Sequence, residues 1–287
     1  MVTVRLMGGL GNQMFQYAIG CSMAHDLHEE LYLDTAFYHR PHINTTPWPY
    51  QLYHFNIQCK IISNTPLSRL RYYYMRFLHL NLFSTYDTYI CEESLSYDPG
   101  VIQKKGRIYL DGYWSCEKYF LHNADLIRNA FKILTPPDAQ NENWSEMIKN
   151  TNAVCIHVRR GDYVNNAGAN KIYGTISPDY YHRAIEYVSK MVHNPVFFVF
   201  SDDIQWAKVN IQIPYEVHYM EHNDSVHGYE DLRLMMLCKH YIIANSTFSW
   251  WGAWLGNFRE KIVVSPRNWF SDPDKKIDII PESWVKM

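Results

Sequence analysis

Val154-Cys-Ile-His-Val-Arg-Arg-Gly-Asp-Tyr163 is a short apolar strand that runs into two adjacent arginines, a glycine and an aspartate. A guanidinium group is planar, stays charged and can grip two phosphate oxygens at once. A strand ending in a pair of them fits a nucleotide diphosphate held at the carboxyl edge of a parallel sheet. The plain alternative is an exposed Arg-Asp turn. Alternation along the strand sends His157 and Arg159 to one side and Arg160 to the other. Arg159 is then expected to face the ligand with His157, while Arg160 anchors the turn or reaches the phosphate from beyond the strand end. Asp162 either orients these arginines or acts as a base. Two neighbouring guanidinium groups would depress its pKa, which favours orientation.

Around this segment, strand and helix signals alternate. Pro178–Val192 reads as a helix and Pro195–Phe200 as a β-branched and aromatic strand ended by Ser201-Asp-Asp203. Tyr229–His240 reads as a helix, Tyr241–Ala244 as a strand, Phe248–Leu255 as a helix and Ile262–Ser265 as a closing strand. Upstream, Val2–Met7 is a buried strand, Gly8-Gly-Leu-Gly11 a tight turn, Gln13–His28 a helix and Leu31–Leu33 a second strand. Residues 35–105 read as irregular. Within them Ser68–His79 is basic and aromatic, a solvated face over a local core or a helix that touches a membrane surface or an acceptor. Prolines and polar residues cluster at Leu134–Asn143 as they do in linkers. The alternation implies an α/β fold with two Rossmann-like lobes, an N-terminal one over 1–135 and a C-terminal one over 144–287, with a cleft between them.

Bulk composition narrows the function. The chain has 287 residues, 47% of them hydrophobic and 20% charged, which is ordinary for a globular protein. A net charge of −2 argues against bulk electrostatic binding of nucleic acid. Aromatic residues reach 16%, which suits sugar recognition and core packing alike. The six cysteines contain no CxxC pair, so reduced core thiols fit better than a zinc site or a disulfide scaffold. With no signal peptide and no apolar stretch long enough to span a bilayer, a cytoplasmic protein is expected, with peripheral membrane contact left open.

Three further segments put chemistry-bearing residues after strands. Gly8-Gly-Leu-Gly-Asn-Gln13 offers backbone N–H groups and a helix N-terminus to an anion, or is an ordinary strand-to-helix corner. It lacks the Gly-Lys-Ser/Thr of a Walker loop, and Met14 stands where a dinucleotide fingerprint needs its third glycine. Asp202 and Asp203 could hold a divalent metal, accept from a ribose or guanine, or cap the next helix. Asn245-Ser-Thr-Phe-Ser-Trp-Trp-Gly-Ala-Trp254 opens a helix with hydroxyls suited to a phosphate, while its tryptophans read as core.

Taken in order, Gly8–Ala18, His157–Tyr163, Phe200–Asp203 and Asn245–Gly252 resemble the family 11 glycosyltransferases, the α-1,2-fucosyltransferases. The resemblance runs from residue 8 to about 255 and thins through 35–105 and after 265. It implies a GT-B fold and inverting transfer of L-fucose from GDP-β-L-fucose, as donor substrate, with no cofactor and no metal. The acceptor implied is a terminal β-galactoside of an oligosaccharide or glycolipid. Carried across, Arg159 and Arg160 hold the diphosphate, and Arg159 stabilises the charge that develops there. His157 and Asp202 or Asp203 contact guanosine, and Ser246, Thr247 and Phe248 close on the phosphates and the base. Gly9, Gly11 and Gln13 belong to the donor side, and Asn12 sits near the sugar, facing the acceptor. Asp162, Glu30 and Glu230 are conceivable bases for the acceptor hydroxyl. Other readings are a nicotinamide-dependent oxidoreductase built on Gly9-x-Gly11 and Asp34, a glycan-binding protein without catalysis, and a metal-dependent transferase using Asp202-Asp203.

Overall fold

The computed structural model describes residues 1–39, 48–62, 65–78 and 85–287, apart from the side chains at 67, 71, 78, 162, 165, 167 and 169. The chain forms two compact units. The first comprises residues up to Leu134 together with a returning segment, Lys276–Ile279; the second runs from Thr135 to Lys275 and resumes at Ile280. That return goes beyond the single division expected at the proline-rich segment.

The first unit holds strands β1 (Val2–Arg5), β2 (Leu31–Asp34), β3 (Lys60–Ile62), β4 (Thr88–Cys91) and β5 (Ile108–Asp111). They form a parallel sheet in the order β3-β2-β1-β5-β4. Its helices are α1 (Leu10–Asp26), α2 (Pro66–Leu78), α3 (Pro99–Ile102) and α4 (Ala124–Ala130). Helix α1 lies close on the sheet because Gly20 carries no side chain; a Cβ there would come within 2.3 Å of Val4 Cγ2 and 2.8 Å of Leu31 Cδ1. The region expected to be irregular supplies β3, α2, β4 and α3. Helix α2 covers the basic aromatic segment except His79, which lies outside the described residues.

The second unit carries α5 (Ala139–Lys149), β6 (Asn152–Val158), α6 (Gly161–Asn165), α7 (Ala167–Tyr173), α8 (Pro178–Met191) and β7 (Pro195–Ser201). It continues with α9 (Ile204–Asn210), β8 (Val217–Met220), α10 (Gly228–Leu237), β9 (His240–Ile242), α11 (Thr247–Leu255), β10 (Val263–Ser265) and β11 (Val285–Lys286). Its parallel sheet has the order β11-β10-β9-β6-β7-β8. The expected closing strand at 262–265 is therefore followed by one more, β11, too short to read from sequence.

Parallel sheets are covered on both faces, which is why β6 and β7 are nearly continuous apolar runs. On one face Val154, Ile156 and Val158 pack with Tyr181, Ala184, Ile185 and Val188 of α8 and with Phe197 and Val199 of β7. Ser177 caps α8 by accepting from Asp179 N, and Pro178 fills its first turn, so the helix begins where the sequence stops being extended. Truncating Ile156 to Ala would cost about 2–5 kcal/mol through lost transfer energy and the cavity left behind. Helix α11 is apolar all round, and Trp250, Trp251 and Trp254 are buried as expected of core residues. The six cysteines are free thiols, three of them buried. No helix among the described residues is long and apolar enough to cross a membrane.

Candidate active site

In the second unit the chain runs from β6 outward through β7 and β8, then returns to place β9 on the other side of β6. That reversal opens a crevice beyond the carboxyl ends of β6 and β9, where ligands of such sheets bind. Register lines up the strand ends, with Val158 opposite Ser201 and Ile156 opposite Ile242. Arg159-Arg160, Asp202-Asp203 and the segment from Ile243 to Phe248 thus leave the sheet at one edge.

The arginines meet the acids of the neighbouring strand end. Arg159 Nε lies 3.4 Å from Asp202 Oδ2, and Arg160 Nη1 donates to Asp203 Oδ2 at 3.1 Å. Asp202 also accepts from the backbone N–H of Arg160 at 2.8 Å. Strand β6 ends at Val158, before either arginine; Arg159 stands with His157, Asp202 and the Tyr163 ring, and Arg160 with Asp203. Asp202 and Asp203 thus hold the arginines; Asp162 lies in α6, and its side chain, expected to orient them, is outside the described residues. Arg160 also lies over the Trp206 ring, 4.8 Å from its centroid.

Asp203 does cap the next helix, accepting from Trp206 N at 3.2 Å, so the capping reading holds for it alongside the ion pair. Burial pushes the Asp202 carboxyl up, but Arg159, the N–H groups of Arg160 and Gly161, and His157 together hold it below the ordinary value. Burial drives the His157 imidazole down to about 3, with Arg159 acting in the same direction and Asp202 against it. His157 is therefore neutral at neutral pH, with one ring nitrogen as donor and the other as acceptor. Its Nδ1 is enclosed and has no hydrogen-bond partner among the described residues. The ring faces Phe248, with centroids 5.7 Å apart.

On the other side of the crevice, Ser246 occupies the N-cap of α11 with no side-chain cap bond, and the first turn contains no acid. Backbone N–H groups there, and the positive end of the helix dipole, suit an anion. Ser246 is buried and Thr247 and Phe248 are half-buried. Asn245, which precedes them, donates from Nδ2 to the carbonyls of Tyr173 (2.9 Å) and Trp269 (3.1 Å), and its own carbonyl accepts from the Tyr163 hydroxyl. Asn245 thereby fixes the helix entry.

Of the remaining candidates all but Glu230 belong to the first unit. Gly9 is the N-cap of α1 and Gly11 stands inside its first turn, so the helix starts at Leu10, before the expected Gln13, and the glycine turn is shorter. Asn12 is half-buried beside Gly8, where a Cβ would meet its Nδ2 at 2.5 Å. Gln13, expected on the donor side, is fully enclosed. It donates to the carbonyls of Gly8 and Pro49 and accepts from Gln51 N, a clamp on its own unit's loop. Glu30 stands just before β2, at the amino end of the sheet, tied to Lys60 and Tyr32, away from the edge where a base would act. Glu230 is buried and paired twice with Arg233, which also excludes it as a poised base.

Sequence reasoning missed four contributors. Gly161 is required because a Cβ there would lie 3.0 Å from the Asp202 carbonyl; a glycine directly after paired arginines was the available signal. Tyr163 stacks on Tyr173 at 5.1 Å with rings 7° from parallel, and forms a wall behind Arg159. Trp206 carried no signal distinguishing it from core residues, and Asn245 stood in a recognised segment without an assigned role.

A parallel α/β unit with arginines and an uncapped helix N-terminus at its switch point is the mark of an enzyme that binds a phosphorylated donor. The comparisons say which kind. A model of glycosyl transferase family 11 matches residues 1–287, and the chain belongs to that family. It is 35% identical to an alpha-1,2-colitosyltransferase of Escherichia coli over 100% of this chain and 98% of that protein. It is 27% identical to the mouse (Mus musculus) galactoside 2-alpha-L-fucosyltransferase Sec1 over 89% of this chain and 64% of that protein. Its fold is that of NodZ α-1,6-fucosyltransferase, solved from a crystal soaked with GDP-fucose: TM-score 0.51, 15% identity, 88% of this chain and 91% of that one. The expected α/β fold with parallel sheets therefore holds, and the nicotinamide and non-enzymatic readings give way to a glycosyltransferase.

Proposed function

We propose that this chain transfers L-fucose, or a close deoxy relative of it, from a GDP-linked donor to the 2-hydroxyl of a terminal β-galactoside, inverting the β-linked donor to an α-linked product. The observation that carries this reading is the pairing of Arg159 with Asp202 and Arg160 with Asp203 beside the uncapped start of α11. Departure of GDP leaves positive charge on the sugar carbon and adds negative charge to the diphosphate. Guanidinium groups already held in place stabilise that charge without reorganising. His157, neutral and with an unsatisfied Nδ1, is offered to the guanosine, and Phe248 to the flat face of the base. Ser246 and Thr247 add hydroxyls at the phosphates, and Asn12 faces the acceptor. Asp202 and Asp203 spend oxygens on arginines and backbone N–H groups, so a divalent ion would have to displace both pairs; transfer without metal is expected.

A second donor has specific support. The colitosyltransferase likeness spans the whole chain, and colitose differs from fucose by lacking the 3-hydroxyl. The deciding experiment is turnover of GDP-fucose and GDP-colitose with lactose as acceptor in EDTA, following GDP release and identifying the product by NMR. A Fuc-α-1,2-Gal product supports the first reading, and turnover of GDP-colitose alone supports the second. Activity that appears only after Mn²⁺ or Mg²⁺ is added removes the metal-free mechanism. Failure to bind any guanine nucleotide removes the assignment of the arginines.

A further inference from the structure

The most exposed apolar stripe in the first unit lies on α2, and the proposed transfer reaction makes no use of it. Leu70, Tyr73 and Phe77 are 46%, 51% and 62% exposed, and at this spacing they share one helical face. Tyr73 and Phe77 rings sit against each other with centroids 5.2 Å apart, a contact made on the surface and not in the core. Arg69 and Arg76 flank that stripe, by the same helical geometry. The opposite face is the anchored one. Met75 is buried with Tyr86 and Tyr109, and Tyr72 bonds and stacks with Arg5 at the end of β1. From its exposed edge Arg76 reaches Asp111 at the end of β5, 3.9 Å away.

Charge decides what could cover the exposed face. Residues 66–78 contain three arginines (69, 71 and 76) and no acid, on a chain whose net charge is −2. A helix with aromatic and leucine side chains on one stripe, arginines beside it and no negative charge matches an anionic lipid surface. We infer that α2 is an interfacial helix that seats the N-terminal unit on a membrane carrying anionic lipid headgroups. The apolar trio enters the headgroup region, and Arg69 at its edge meets lipid phosphates and carboxylates. Because its inner face is tied to the carboxyl edge of the first unit's sheet, a bilayer on α2 would lie beside that edge. This goes beyond the transferase reading and does not depend on it.

The test is co-sedimentation of the full-length protein with large unilamellar vesicles of phosphatidylcholine alone or with 30 mol% phosphatidylglycerol. Expected is at least fivefold more protein pelleting with the anionic vesicles at low salt, and release at high ionic strength. Arg69→Glu should lower the partition coefficient by about fivefold or more, the change expected for a reversed interfacial charge. Leu70→Ser/Phe77→Ser should lower it further, with circular dichroism and melting temperature unchanged. Equal pelleting on both lipids, no pelleting on either, or full binding by the double variant would overturn the inference. So would a Phe77-dependent dimer in sedimentation velocity that binds no lipid. Vesicle binding is read without turnover, so this result stands apart from that of the donor assay.

Discussion

The two sheets end in arginines of nearly equal exposure that keep different company. In the first unit Arg5, at the end of β1, is 17% exposed and bonded to Asp111 and to the Tyr72 hydroxyl. Asp111 accepts again from Tyr89 at 2.6 Å, and Asp34 is taken by Tyr109 at 2.6 Å. Tyrosines and carboxylates there satisfy one another and close the edge. In the second unit Arg159 is 18% exposed, yet its acid partner Asp202 is shared with the backbone N–H of Arg160, and the imidazole beside it keeps an orphan nitrogen. On the proposed function, the same residue type at the same sheet edge is a structural tie in one unit and a binding group in the other. What distinguishes them is the chemistry of the neighbours, tyrosine hydroxyls against a helix N-terminus, and not burial.

The sharpest way to break that contrast is Arg159→Ala. Loss of a preorganised donor at a developing charge costs roughly 3–4 kcal/mol, so kcat should fall by at least about two orders of magnitude with little change in melting temperature. A variant retaining more than half of wild-type activity would sink the assignment. Asp111→Ala tests the other edge. Removing it leaves Arg5 with an unpaired buried charge, worth about 3 kcal/mol given that Arg5 touches solvent, or roughly 6–10 °C in melting temperature. GDP affinity of the folded protein, measured by calorimetry, should stay within twofold; a tenfold loss would erase the distinction between the edges.

Asp202→Asn keeps the acceptor for Arg160 N but removes the charge that holds Arg159. About a tenfold drop in kcat is expected, with the protein still folded. Unchanged kcat with a raised KM would make Asp202 a ground-state binding group only. A last effect concerns the pH dependence of stability. Burial pushes the Asp231 carboxyl up to about 7, opposed by the bond from Asn223 and reinforced by Glu230. The folded state therefore holds a proton that the unfolded chain has lost, so stability falls as pH rises from about 4 to about 7 and is flat above. Asp231→Asn should remove that slope, raising the melting temperature at pH 8 and leaving it unchanged at pH 4. Parallel pH profiles for the two proteins would refute the shift.

Legibility followed the same physics. Strand β6 could be read because a strand buried on both faces needs an unbroken apolar run, and a pair of arginines after such a run has few structural explanations. Helix α11 could be read because its tryptophans have nowhere to go but the core. Strands β4 and β5 were not legible: Thr88-Tyr-Ile-Cys91 and Ile108-Tyr-Leu-Asp111 mix tyrosines and an acid whose partners lie on other strands. Gln13 was assigned to the donor because it sits in a glycine-rich turn, yet its partners, Pro49 and Gln51, are distant in sequence.

The returning segment adds a constraint of timing. Asp278 accepts the backbone N–H of Tyr97 at 2.9 Å, and Ile279 is enclosed. Synthesis delivers the chain from its N-terminus, so every strand of the first sheet leaves the ribosome well before the residues that finish the unit around it. The N-terminal half is begun first and completed almost last, and it waits through the making of every strand of the second sheet but β11 for the segment Lys276–Ile279.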